Sequence, residues 1–280
     1  MAVVLAVLTG SDDDASVLDH AAVALGGGHI QVRHVRRDPR EAIPLVGEGL
    51  SPDLVQRMLD EAAHDSDRRS ARARAAFDDW RERSGVAIRS VPNGTAAPTA
   101  EWIETTGRVE DIGPTFGRLA DLIVLAAPGS DGDQGTIEAA LFGSGRPVLL
   151  VPRGMPVTTG DAAVFWNGSA EAARAVGAAL PILARCGMVH ILRIGADPDV
   201  EAPEPELTAY LAWHGISAAV RTLAPDYREP GEALLEEAGR LGATLVVMGA
   251  YTHSRMRQMI LGGVTRHVLG HAPVPILLTH

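Results

Sequence analysis

"AAVFWNGSAEAARAVGAAL" occupies Ala162–Leu180, and "VVLAVLTGSDDDASVLDHAAVAL" occupies Val3–Leu25. Each is an apolar run, a Gly-Ser turn and a segment with helical spacing, which reads as strand, turn and helix. Gly10-Ser11 corresponds to Gly168-Ser169. Outward from these stretches the correspondence continues in the same order. "HIQVRHVRRDP" (29–39) is matched by "VHILRIGADP" (189–198), with Asp38-Pro39 against Asp197-Pro198. "GRLADLIVLAAP" (117–128) is matched by "GRLGATLVVMGAY" (239–251), and "RPVLLVP" (146–152) by "VPILLTH" (274–280). Four matches in one order mean that one unit is written twice.

In the second copy the spacing predicts strands over 162–166, 189–194, 218–223, 244–248 and 274–278. They are near-continuous apolar runs, as parallel strands covered on both faces require. Ser169 is placed to N-cap the first helix, with Ala173, Val176, Leu180 and Leu183 on one face. Pro181 is expected to kink it, with Gly177 one turn earlier making room. "PGEALLEEAGRLG" (230–242) begins with Pro and ends on Gly, as helices do. The fold class is therefore α/β: two doubly wound, five-stranded parallel-sheet domains. The boundary falls in "PRGMPVTTGD" (152–161), which gives domains 1–153 and 160–280. The first copy carries an insertion, "SPDLVQRMLDEAAHDSDRRSARARAAFDDWRERSG" (51–85). It reads as one long helix with Ser51 as N-cap, Pro52 at the first turn, an end near Gly85 and a solvated charged face.

The formal net charge of -10 argues against a nucleic-acid partner, whose phosphates need a basic face. Cys186 is the single cysteine, which suits a reducing compartment. "MAVVLAVLTGSDD" lacks a basic start and turns acidic early, so it reads as a first strand and not a signal peptide. No apolar run reaches the roughly 20 residues of a membrane span, so no membrane partner is expected and the location is read as cytoplasmic.

In such sheets ligands lie beyond the carboxyl ends of the strands, where the strand order reverses. Two segments converge there: "FWNGS" (165–169) and "MGAYTHSRMRQMILGGVT" (248–265). Gly249 lets backbone approach closely, and Gly262, Gly263 and Val264 begin a helix whose N–H groups suit an anion. No Gly-Lys-Ser/Thr occurs, and "GGG" (26–28) follows a helix rather than a strand. The residues alone leave two readings open, a packing or capping feature and an anion site.

The C-terminal stretch resembles the universal stress protein family, and the duplication resembles its tandem members. Nucleotide-binding members carry Gly-x-x-Gly, nine residues and Gly-Ser/Thr after the fourth strand, with an Asp ending the first. Here Gly249-Ala-Tyr-Thr252 is followed by nine residues and then Gly262-Gly263-Val264-Thr265. The resemblance implies ATP or another adenine nucleotide in the C-terminal domain, lined by Met248, Gly249, Tyr251, Thr252, Gly262, Gly263, Val264 and Thr265. Trp166 and Asn167 would stand opposite, and Arg193 or Leu192 would offer backbone to the adenine. Three departures weaken the chemistry. Thr252 adds a Cβ where the family has Gly, Gly263 replaces a hydroxyl and Asn167 replaces the Asp. In the first copy Thr9 takes the Asp position, Ala126 and Gly129 take those of Gly249 and Thr252, and Gln134-Gly135 takes that of the Gly pair. Five intervening residues are gone, and Asp131 and Asp133 would repel phosphates, so that site reads as degenerate.

The expectation is a stress-response protein with one adenine-nucleotide site, against the alternative of a scaffold that binds no nucleotide and acts through protein partners. The resemblance also implies pairing of the two domains through their last strands, Val148–Val151 against Ile276–Thr279, with further homodimerisation left open. That pairing would cover two sheet edges. No Ser-His-Asp order or paired carboxylates stand out, so an enzyme is not expected, and slow ATP hydrolysis is implied by resemblance only. His267 and His271 share a helical spacing that suits a metal, but no third ligand is evident.

Overall fold

The computed structural model describes residues 2–24, 26–42, 51–92, 97–108, 111, 115–129, 134–195, 204–225, 229–250 and 263–280. The first half runs β1 (Ala2–Leu8), α1 (Asp14–Ala24), β2 (Gly28–Arg37), α2 (Pro52–Ser84), β3 (Ala87–Ile88), β4 (Thr99–Gly107), β5 (Leu122–Ala126), α3 (Gln134–Ser144) and β6 (Val148–Val151). The second runs β7 (Asp161–Phe165), α4 (Ala170–Leu183), β8 (Val189–Ile194), α5 (Glu204–Trp213), β9 (Ala218–Leu223), α6 (Pro230–Arg240), β10 (Ala243–Gly249), α7 (Gly263–His271) and β11 (Ile276–Thr279). Residues 152–160 between the halves carry neither helix nor strand.

All the strands join one sheet in the order β3-β4-β2-β1-β5-β6-β11-β10-β7-β8-β9. Each half is thus doubly wound, with its reversal of strand order between β1 and β5 or between β7 and β10. Among the described residues every pairing is parallel except that of β6 with β11, which is antiparallel with Ile276 opposite Leu150 and Leu278 opposite Val148. The last strands of the two halves therefore meet, as expected, and each covers the other's edge. One detail differs. The first half has six strands, because the two-residue β3 adds to β4 through Ala87 opposite Thr99.

Alternation along each strand sends side chains to two apolar layers. One layer holds Val17 of α1, Phe77 of α2, Val176 of α4 and Leu207 of α5. The other holds Ile137 of α3, Leu234 of α6 and Val268 of α7. Both layers run through the β6–β11 joint: Leu149 and Leu277 belong to the first, Val148, Leu150, Ile276 and Leu278 to the second.

Helix α4 begins as expected, with the Ser169 hydroxyl accepting from the Ala172 N–H at 3.1 Å. It continues through Pro181. Its buried face is Ala172, Ala175, Val176, Ala179 and Leu183. Ala173 faces solvent and Leu180 is half-buried, so the expected stripe is corrected by one position. Small residues at 172, 175 and 179 let α4 approach the sheet closely, and that fixes the rotation.

Helix α2 has the expected limits, with the Ser51 hydroxyl accepting from the Leu54 N–H at 3.3 Å and Gly85 closing it at φ 67°. Its charged residues pair with the body of the first half, where Arg72 meets Asp12 at 2.6 Å, Arg36 meets Asp67 and Arg83 meets Asp19 at 3.8 Å. Ala73, Phe77 and Trp80 are buried beneath it. This helix packs on β2 and α1 through its few buried residues, while its charged side chains stay largely exposed, as expected. In the stretch of the first half that corresponds to α6, residues 109, 110 and 112–114 lie outside the described residues, and Gly117–Leu119 form a 3₁₀ turn.

Candidate functional site

The crest of the second half lies at the reversal between β7 and β10. Trp166 and Asn167 follow β7, and Gly249 ends β10. The Asn167 carboxamide oxygen accepts from the Ser169 N–H at 3.2 Å, which turns the chain into α4. On β8, Arg193 stands opposite Thr222 of β9. Its guanidinium is ion-paired with Glu204, the first residue of α5. With its charge matched in this way, Arg193 has only its backbone to offer at the crest.

Gly249 has a structural reason. A Cβ there would lie 2.5 Å from the Ala172 nitrogen and 2.6 Å from the Glu171 carbonyl carbon. The first turn of α4 thus uses the close approach that the sequence reading gave to a ligand. The Thr279 hydroxyl adds a bond to the Glu171 carbonyl at 2.8 Å, which ties α4 to β11 as well.

Helix α7 begins at Gly263, which is exposed, and its next residues Val264 and Thr265 are half-buried and buried. A Cβ on Gly263 would stand 3.4 Å from the Glu229 Oε2. Glu229 N-caps α6 without a side-chain capping bond, and its carboxylate instead lies by the start of α7. A carboxylate there takes up part of the positive field that a phosphate would use. Trp166 and Met248 do not meet through their side chains. Trp166 belongs to the layer of α4 and α5, with its indole Nε1 buried and unpartnered, while Met248 belongs to the layer of α6 and α7. Tyr251, Thr252 and Gly262 lie outside the described residues. Sequence reasoning missed Glu204 and Glu229, although each sits beside a Pro (Pro205 and Pro230), where a helix start was legible.

The corresponding crest of the first half is closed. A Cβ on Gly10 (φ +76°) would fall 2.3 Å from the Arg69 carbonyl oxygen, so the backbone of α2 lies on this turn. The Asp14 carboxylate accepts from the Thr9 N–H at 3.0 Å and the Gly10 N–H at 2.9 Å. Burial raises its pKa to about 6 against the lowering effect of those N–H bonds. Outside both crests, His267 and His271 stack at 4.3 Å, and His271 Nδ1 bonds the His267 carbonyl at 2.9 Å. No group of three metal-ligating side chains occurs among the described residues. None of their helices is long and apolar enough to cross a membrane.

A tandem doubly wound sheet joined through its last strands defines a class of two-domain α/β proteins. Residues 163–280 match the model of the universal stress protein family. The second half of the chain therefore carries a domain of that family. The fold of the whole chain is similar to that of a universal stress protein from Archaeoglobus fulgidus, at 20% identity and a TM-score of 0.66, covering 99% of this chain and 96% of that one. A functionally unknown protein from Pseudomonas aeruginosa is similar over 100% of this chain and 92% of that one, at 16% identity and a TM-score of 0.57. No curated protein matches the chain significantly in sequence.

Proposed function

We propose that this protein is a cytoplasmic stress-response protein whose second half binds ATP or a related adenine nucleotide, while its first half binds none. The observation that carries this reading is the asymmetry of the two crests. Asn167 and Gly263 are exposed at the one, whereas α2 and the Asp14 carboxylate fill the other. The Gly249-to-Gly262 spacing supports the same reading. The role proposed is binding, with slow ATP hydrolysis implied by the family resemblance only.

A second reading, a scaffold that acts through protein partners, is favoured by Glu229 beside Gly263 and by the use of Gly249 for packing. Both place protein groups where a ligand would otherwise sit. Nucleotide content of freshly purified protein, followed by calorimetric titration with ATP, separates the two. The expected result is one ATP per chain, lost in Gly263→Asp, which puts a carboxylate at the first position of α7. Heatless titration at millimolar ATP, with no shift in melting temperature, would leave the scaffold as the function.

A further inference from the structure

On the α3 face of the first half, Arg33 of β2 is 7% exposed. Its guanidinium carbon stands 3.6 Å from the centroid of the Phe116 ring. Its Nε is buried without a hydrogen-bond partner, and so is the Thr105 hydroxyl. In the register of β2 and β4, Arg33 faces Ile103 and Val35 faces Thr105, so Thr105 is the diagonal neighbour of Arg33 on one face. Such neighbours are roughly 7–8 Å apart at the backbone, within reach of a long side chain. Glu101 is the other diagonal neighbour, and His29 holds its carboxylate at 3.4 Å.

Burial lowers the pKa of Arg33, and the charge of Glu101 opposes that shift. The guanidinium nevertheless stays protonated at neutral pH. A buried cation is costly unless an anion and hydrogen-bond acceptors complete it. Among the described residues Arg33 has the Phe116 ring above it and no ion pair.

The second half shows what a purely structural residue would be here. With Asp38 set against Asp197, Arg33 falls on Leu192, which is fully buried and packed in one layer with Leu234 and Ala238 of α6. In the first half the apolar residue at this position has become a cation. Its guanidinium supplies the partner that an oxyanion needs.

We propose that Arg33, Thr105 and Phe116 form a binding site for a small molecule with one oxyanionic head, carboxylate or phosphate, in the first half of the chain. The guanidinium edge donates charge-assisted hydrogen bonds to the head, the Thr105 hydroxyl donates another, and the Phe116 ring is the roof. Glu101 repels a second negative group, which limits the ligand to a single anionic end. This site is separate from the crest of the second half and does not depend on nucleotide binding there.

The test titrates the full-length chain with sodium phosphate and with sodium acetate, calorimetrically and by thermal shift, against sodium chloride at equal ionic strength. One site per chain is expected for at least one of the two anions, with a dissociation constant of about 1 mM or tighter. Arg33→Leu, which installs the residue of the second half, is expected to weaken it at least tenfold, and Thr105→Val severalfold. Arg33→Lys keeps the charge but loses the fork, so it gives the same comparison should Arg33→Leu not fold. The same comparison in a Gly263→Asp background, where phosphate binding at the crest of the second half is removed, is expected to keep the Arg33-dependent site. Equal binding by Gly263→Asp with and without Arg33→Leu, or no effect beyond chloride, would each overturn the proposal.

Discussion

Asp14 shows how a residue that reads as plain surface acidity becomes an internal ligand. In the sequence it is the last of three consecutive aspartates (Asp12–Asp14), with nothing to distinguish it. In the structure it is 2% exposed and caps the turn after β1 through two backbone N–H groups. Its folded pKa of about 6 lies above its ordinary 3.8, so between those values the folded state holds more protons. Stability from this group is therefore present at low pH and lost as pH rises through that window, by about 3 kcal/mol at most. His20 and His34 work in the opposite sense. Burial lowers both, so their contribution is lost as pH falls below their ordinary range. Each donates its Nδ1–H to a carbonyl, of Ser16 or Leu8, which leaves a bare Nε2 to take up any proton. The wild-type profile mixes these signs, and Asp14→Asn isolates one of them. The amide keeps one acceptor and loses the other, a cost that does not vary with pH, and it removes the buried charge. The difference between variant and wild type is expected to move in favour of Asp14→Asn between pH 4 and 7.5. Urea midpoints at intervals across that range check it, and a constant difference refutes it.

Gly249 carries the same lesson in the second half, because its motif position suggested a ligand and its neighbours are protein. Gly249→Ala is expected to lower stability by about 1–3 kcal/mol through collision with the first turn of α4. An unchanged urea midpoint would mean that α4 is not seated as described.

At the level of elements, punctuation made much of the architecture legible. Ser51, Pro52 and Gly85 bracket α2, Ser169 opens α4, and the five apolar runs of the second half became five strands within two residues of their expected ends. What stayed hidden was where α2 lies. Its composition is charged throughout, and only Ser66, Ala73, Phe77 and Trp80 are buried. That spacing is too sparse to reveal a face, so the closure of the first crest could not be read. The uneven burial of α2 has a consequence for its dynamics. Its first turns, 52–65, contain no buried residue, so they depend on the cap and on local pairs. Ser51→Ala is expected to cost about 1 kcal/mol locally. Amide exchange should quicken over 52–65 and leave 73–80 unchanged. Equal acceleration along the whole helix would contradict this.

The whole molecule is two copies of one unit, yet it is not two independent bodies. Proteins with two domains often unfold in two steps, because few contacts cross the boundary. Here the sheet is continuous through β6 and β11, and Leu149, Leu150, Leu277 and Leu278 of that joint are at most 4% exposed. Each apolar layer includes residues of both halves. The Arg185 guanidinium also donates across the halves to the Ala24 carbonyl. Unfolding one half alone would expose these leucines, each worth about 1.5–3 kcal/mol of burial, and reopen a sheet edge. The intermediate is therefore disfavoured by several side chains at once. Calorimetry is expected to give one transition with a ratio of calorimetric to van't Hoff enthalpy of about 1, whereas independent halves give about 2. Leu277→Ala lowers the coupling without touching either crest, and it is expected to lower stability by about 2–5 kcal/mol and to broaden or split the transition. A wild type that already melts in two steps would mean that the joint holds the halves together without making them one cooperative unit.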